Sequence, residues 1–125
     1  QMPGVYRCPS DPPGGDRSTT RYQVPTGPGT LFEGDEGTPL RAITDGTSNT
    51  LLVVEAANPV PWTKPEDVLA GLDQPPPALG SLHPGGANAL IADGSVRFLK
   101  KSVNPEVLRA LTTKGGGEVV SADSF

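Results

Sequence analysis

The sequence predicts an α+β domain: a small antiparallel β-sheet, short helices against it, and long Gly/Pro-rich loops around it. Three observations lead there. Residues 88–99 read NALIADGSVRFL, two apolar-rich runs on either side of an Asp-Gly dipeptide, which is the pattern of a β-hairpin. Residues 50–56, TLLVVEA, are apolar, β-branched and too few for a typical helix, so they read as a strand buried on both faces. The 16 glycines and 15 prolines make up a quarter of the 125 residues and crowd into the first 40 residues and 75–86, which leaves a small ordered core. A chain of this length forms one domain, spanning 1–125.

Taken in order, residues 1–37 show no sustained period and predict ordered loop, with short strands near 21–24 and 30–32. Thr38-Pro39 predicts a short helix, with Thr38 as the cap, Pro39 in the first turn and Gly46 closing the end after Asp45. The strand at 50–56 follows the turn-forming residues DGTSN, and Glu55 near its end needs a partner. Residues 63–72, TKPEDVLAGL, predict a helix: Thr63 and Glu66 have capping-box spacing, and Val68, Leu69 and Leu72 form an apolar stripe.

For the hairpin, a two-residue type I′ turn centred on Asp93-Gly94 pairs Ile91 with Val96 and Ala89 with Phe98. That register buries Ile91 and Phe98, and a one-residue slip would turn both outward. Asn104-Pro105-Glu106 then opens a helix over 105–113, with an N-cap, a first-turn proline and an acid near the positive end. Leu108 and Leu111 face the sheet, Arg109 faces outward, and Gly115-Gly116-Gly117 ends the helix. The tail EVVSADSF either adds an edge strand or frays.

Composition narrows the function classes. The net charge is −4 and no basic cluster exceeds Lys100-Lys101, so nucleic acid is not an expected partner. No apolar run reaches the length of a membrane span. One cysteine permits no internal disulfide. One histidine and one cysteine fall short of the usual zinc ligand sets, so the ligand count predicts no transition-metal site and no cofactor.

Four segments, YRCPSDP (6–12), ITDGTSNTLLVVEA (43–56), PWTKPED (61–67) and HPGGANALIADGSVRFL (83–99), together resemble a bacterial family of prepilin-like or pseudopilin-like proteins. Its mark is a His, nine residues, then Asp-Gly, here His83 and Asp93-Gly94. The resemblance implies the carboxy-terminal globular part of a longer pilin-like protein, lacking its amino-terminal leader and anchor helix. It also implies a location in the cell envelope, outside the cytoplasm, with the full-length protein anchored by that helix. The implied role is a non-enzymatic structural or accessory subunit of a pilus-like or type II secretion-like assembly, with other pilin-like or secretion-system subunits as partners. The family also carries a solute-binding label, which implies an alternative: an extracellular solute- or glycan-binding module.

Individual residues leave alternatives open. His83 can anchor the hairpin by a hydrogen bond to the 45–49 turn, to Glu55 or to a backbone carbonyl; it can bind a ligand; or it can act as a base with a serine such as Ser48 or Ser81. No nucleophile-elbow pattern surrounds either serine, and no catalytic residue is assigned. Asp93 and Gly94 are explained by the turn. Asp45, Gly46 and Asn49 read as turn formers, with oxygen ligation of calcium by Asp45 and Asn49 as the alternative. The acidic residues 34–37 form a charged loop tip. Glu55 reads as a structural partner of His83, Arg97 or Arg21. Trp62 either fills core or offers a stacking platform for a ligand, and Cys8 reads as a small buried apolar side chain.

Overall fold

Leu51–Pro61 (β3) is the strand around which the domain is built, with a neighbour on each side. The computed structural model describes residues 1–12, 14, 17–34, 37–64, 66–71, 75–80 and 82–115. Thr19–Gln23 (β1), Gly86–Ile91 (β5) and Val96–Lys100 (β6) complete a four-stranded antiparallel sheet in the order β1-β3-β5-β6. Pro25–Thr26 (β2) and Val68–Leu69 (β4) form a separate parallel pair. An α-helix, Pro105–Thr112 (α1), packs on the sheet. The fold class is the α+β arrangement expected from the sequence.

The strand expected at 50–56 is present and continues to Pro61, paired there with Thr19 of β1. Proline is tolerated along that stretch because a strand flanked on one side only has backbone sites that donate no ladder bond. A bulge between Leu51 and Val53 lets Leu51 and Val54 point to the same face, which a regular two-residue period forbids. Those two join Ala89, Ile91 and Leu99 of the hairpin and Leu108 and Leu111 of α1 in the apolar core.

Helix α1 forms as its sequence predicts. Asn104 Oδ1 accepts from the Glu106 amide at 2.8 Å, Pro105 occupies the first turn, and Leu108 and Leu111 are buried. At its other end the buried Thr112 and Thr113 hydroxyls donate to the Arg109 and Ala110 carbonyls, groups that a helix terminus leaves unpaired. Gly116, Gly117 and the tail lie outside the described residues.

Three expectations are corrected. First, the hairpin register is slipped by one. Asn88 pairs with Phe98 and Leu90 with Val96, and the loop is three residues, 92–94. Gly94 has φ +92°, its amide donates to Ile91 O at 2.9 Å, and Ile91 N donates to Ser95 O at 2.8 Å. This is the three-residue loop with a left-handed glycine, held further by Asp93 Oδ1 accepting from the Ser95 amide and hydroxyl. Strand β5 keeps its expected face, so Ile91 is buried. Strand β6 flips, so Leu99 is buried and Phe98 is 43% exposed. The Phe98 ring instead covers Gly86, where an added Cβ would lie 2.8 Å from Cε2 and 2.1 Å from the Leu99 carbonyl oxygen.

Second, the described residues of 63–72 form no helix. The amides of Val68 and Ala70 donate to the carbonyls of Val24 and Thr26, which makes β4 an extended neighbour of β2. Pro65 disfavours helical geometry at Lys64, the residue after the expected cap. Tertiary pairing therefore wins over a weak stripe, and Leu69 is exposed; Leu72 lies outside the described residues. Gly27 and Gly71 make this crossing possible, since a Cβ on either would fall within 2.0–2.2 Å of the opposing Ala70 or Pro28 carbonyl oxygen.

Third, the helix expected over 38–46 shrinks to one 3₁₀ turn, Leu40–Ala42, and a second 3₁₀ turn, Thr47–Asn49, follows Gly46. Thr38 does not cap. Its hydroxyl donates to Leu31 O at 2.7 Å.

Candidate functional site

The sheet has a second face, opposite the core. Strand pairing places Tyr22 beside Glu55, Val53 beside Leu90, Leu90 beside Val96 and Asn88 beside Phe98 on it. Glu55 is nevertheless only 4% exposed. It is covered by the segment carrying Cys8 and Pro9 and by His83, which with Tyr22, Val53, Asn88, Leu90 and Val96 line a groove of about 510 Å³.

Local sequence places His83. His83-Pro84-Gly85-Gly86 forms a turn in which Gly86 N donates to His83 O at 3.4 Å. Gly85 has φ +85° at the third position, as a type II turn requires, and Pro84 presets the second. Lys101 N donates to Gly85 O, which ties the turn to the end of β6. Cys8 sits in a turn of its own, with Asp11 N donating to Cys8 O at 3.0 Å. The Tyr6 carbonyl just before it accepts from the Thr20 hydroxyl, which fixes the segment to β1.

Three polar side chains therefore meet on this face. His83 Nε2 lies 3.0 Å from Glu55 Oε2 and 3.3 Å from Cys8 Sγ. Glu55 Oε1 accepts from the Asn88 amide at 2.6 Å, and His83 Nδ1 lies 3.4 Å from Ser10 Oγ. Cys8 is buried, as its reading as a small apolar residue expected, but it also addresses the imidazole. Of the acceptors open to His83 from sequence, the fold selects Glu55.

The nearby electrostatics are anionic. Burial pushes the Tyr22 phenol above its ordinary value, and the neighbouring Cys8, Glu55 and Asp11 push in the same direction. Arg21, one partner considered for Glu55, pairs with Asp11 at 3.5 Å and donates to the Ala57 carbonyl.

The arrangement differs from a nucleophile–histidine–acid relay. In that relay the nucleophile and the acid address opposite ring nitrogens, with the nucleophile at Nε2. Here Cys8 and Glu55 share Nε2, and the serine at Nδ1 is an exposed turn residue. Ser81 lies outside the described residues.

The other residues marked by sequence lie elsewhere. Asp93 and Gly94 build the hairpin loop, and the Ser95 hydroxyl and amide hold the Asp93 carboxyl below the usual carboxylate range. Asp45, Gly46 and Asn49 form a turn: Gly46 has φ +96°, the Asn49 side-chain amide donates to Asp45 O, and Asp45 N donates to Lys114 O. Asp35 and Glu36 of the acidic loop lie outside the described residues. Trp62 lies at the surface, stacked on Tyr6 with centroids 6.1 Å apart, and does not fill the core.

A second concavity, of about 480 Å³, lies on the other side of His83 between the 76–86 segment, the end of β6 and the start of α1. Leu79, Leu99, Val103 and Leu108 make it largely apolar, with Lys100 and Lys101 alongside. Trp62 is not among its described lining residues.

Sequence reasoning missed the role of Cys8. Its reach to His83 spans 75 positions, and only the pairing of β1, β3 and β5 brings it there. Among the described residues no helix is long and apolar enough to cross a membrane. No curated protein and no solved structure matches the chain. A family model described as "Protein of unknown function (DUF1559)" matches residues 3–75 and 72–106. With most of its length matched, the chain belongs to that family, one of unknown function that is catalogued under a solute-binding label.

Proposed function

We propose that this domain is a non-enzymatic structural or accessory module of a pilus-like or secretion-like assembly, acting outside the cytoplasm at the cell envelope. The observation that carries the reading is the outer face of the sheet. Val53, Leu90, Val96 and Phe98 form a contiguous apolar row there, with Val96 67% exposed and Phe98 43% exposed. A sheet face of this kind gains by burial against a neighbouring subunit. It is carried by three hydrogen-bonded strands, which hold the row in place beside the groove. Pilin-like subunits are the partners this reading names.

A photo-crosslinking residue at position 96 of the full-length protein, expressed in its own host, tests it. Crosslinks to other pilin-like or secretion subunits are expected from position 96 and not from exposed Leu69 on the minor strand pair. Equal labelling from both positions, or none from 96, would sink the reading. The purified chain is also expected to turn over no generic ester, peptide or glycoside substrate. Turnover that disappears in Ser10→Ala or His83→Ala would make the domain a hydrolase.

The cleft beside α1 supports a second reading, an extracellular solute-binding module, because its volume falls in the range of about 300–1,000 Å³ typical of small-molecule sites. Its test is a ligand-induced thermal shift with a panel of small solutes. A hit abolished by Leu79→Trp, which fills the cleft, would favour it over assembly.

A further inference from the structure

We propose that Cys8, Glu55 and His83 form a binding site for a divalent transition cation of the zinc type. Their donor atoms, Sγ, a carboxylate oxygen and an imidazole nitrogen, all lie within 4.8 Å of one another. The inference is independent of the assembly reading. It departs from the ligand count, which weighs residue types one at a time and misses a mixed set.

Geometry is the first argument. A tetrahedral zinc ion, with bonds of about 2.3 Å to sulfur and about 2.0–2.1 Å to nitrogen and oxygen, holds its donors roughly 3.3–3.6 Å apart. The Sγ–Nε2 separation is 3.3 Å and the Nε2–Oε2 separation is 3.0 Å. These two separations are within a few tenths of an ångström of the tetrahedral spacing, and Sγ lies within 4.8 Å of the carboxylate oxygen, so closing that third edge is the adjustment the ion requires.

The pattern of contacts is the second. Nε2 has one hydrogen or one lone pair, so it cannot make separate strong bonds to both Sγ and Oε2. A cation between the three satisfies all of them at once. The outward atoms are already occupied as supporting contacts should be. Ser10 Oγ is placed to accept from Nδ1–H, which leaves the Nε2 lone pair facing the cluster, and the Asn88 amide holds Oε1, which leaves Oε2 free.

Charge is the third. One thiolate, one carboxylate and one neutral imidazole around a divalent ion sum to zero, which suits a site where Cys8 is 2% and Glu55 4% exposed. A sulfur–nitrogen–oxygen donor set selects zinc and its neighbours over magnesium or calcium. His83 is a quarter exposed, so the fourth position opens towards the groove and takes water or a solute. Binding displaces the thiol proton to solvent, with no change of oxidation state.

The test uses the 125-residue chain, stripped with a chelator and titrated calorimetrically with zinc, then with cobalt(II) as a spectroscopic probe. One zinc per chain at submicromolar Kd is expected, together with a thiolate-to-cobalt charge-transfer band in the near ultraviolet. Cys8→Ser should abolish that band. Cys8→Ser, His83→Gln and Glu55→Gln should each weaken zinc by more than the about 10–100-fold typical of losing a supporting residue. Glu55→Gln keeps an acceptor for the Asn88 amide and so preserves the fold. Should Cys8→Ser not fold, the cobalt spectrum of the wild type decides. Zinc weaker than micromolar, zinc affinity unchanged in the three variants, or a cobalt spectrum without the thiolate band would overturn the proposal.

Discussion

Glu55 shows how one residue acquires a role from its surroundings. It ends an apolar run, yet it is accommodated because one oxygen accepts from a backbone amide of the adjacent strand and the other meets His83. Removing it strands the Asn88 donor in a nearly dry place, at a cost of about 1–3 kcal/mol for an unsatisfied buried group. His83→Ala removes a partner from the half-buried side and should cost about 1–2 kcal/mol in the absence of metal. A urea melt of both variants in chelator is expected to rank Glu55→Ala below His83→Ala. The reverse order would place the main support of this network at the imidazole. Asp93, at the hairpin tip, acts by charge. Its carboxyl is held low by Ser95, so the unfolded chain takes up a proton first as pH falls. The loop's stabilisation is therefore present above the ordinary carboxylate pKa and is lost as pH falls through the lowered one. Titration of the Asp93 side chain by NMR should give a value below the ordinary one that rises in Ser95→Ala.

At the scale of elements, the hairpin was legible as a hairpin and illegible in its register. Asp-Gly is compatible with a two-residue and a three-residue loop, and the apolar pattern VRFL offers both Phe98 and Leu99 to the core. The choice rests on what lies across the strand. Gly86 leaves a bare patch on the outer face that the Phe98 ring covers, and Leu99 pairs with Ala87 beneath α1. Truncating the two side chains separates the registers. Leu99→Ala should cost about 2–5 kcal/mol as a core cavity, whereas Phe98→Ala should cost much less. Equal losses in thermal or denaturant unfolding would restore the two-residue loop. Residues 63–72 failed as a helix for a related reason: their capping spacing and stripe are weak preferences, and the amides of Val68 and Ala70 find partners in and beside β2 instead.

For the whole molecule, the two faces of one sheet are used differently. The inner face is closed by α1 and supplies the stability. The outer face is left to Cys8, His83 and an apolar row, and carries both proposals made for this protein. The minor pair of strands closes the far side of the chain through the crossing of Gly27 and Gly71. Gly27→Ala would set a methyl 2.0 Å from the Ala70 carbonyl oxygen, with no flexible side chain to yield, and at a left-handed φ of +137°. Expected is a loss at the upper end of the roughly 1–3 kcal/mol usual for overpacking, read as a lower melting temperature. An unchanged melt would show that this crossing opens without consequence for the rest of the fold.

By itself the sequence determined what neighbours along the chain can settle. A β-branched apolar run makes a strand, Asn-Pro-Glu starts a helix, Pro-Gly-Gly turns the chain at His83, and Asp-Gly makes a tight loop. Each needs only a few residues whose backbone preferences agree. Only the tertiary structure decided which side chain of β6 faces the core, whether residues 63–72 coil or extend, and that Cys8, Glu55 and His83 meet. The last of these joins segments 28 to 75 positions apart, and all three depend on cross-strand packing and backbone hydrogen bonds that outweigh local preference.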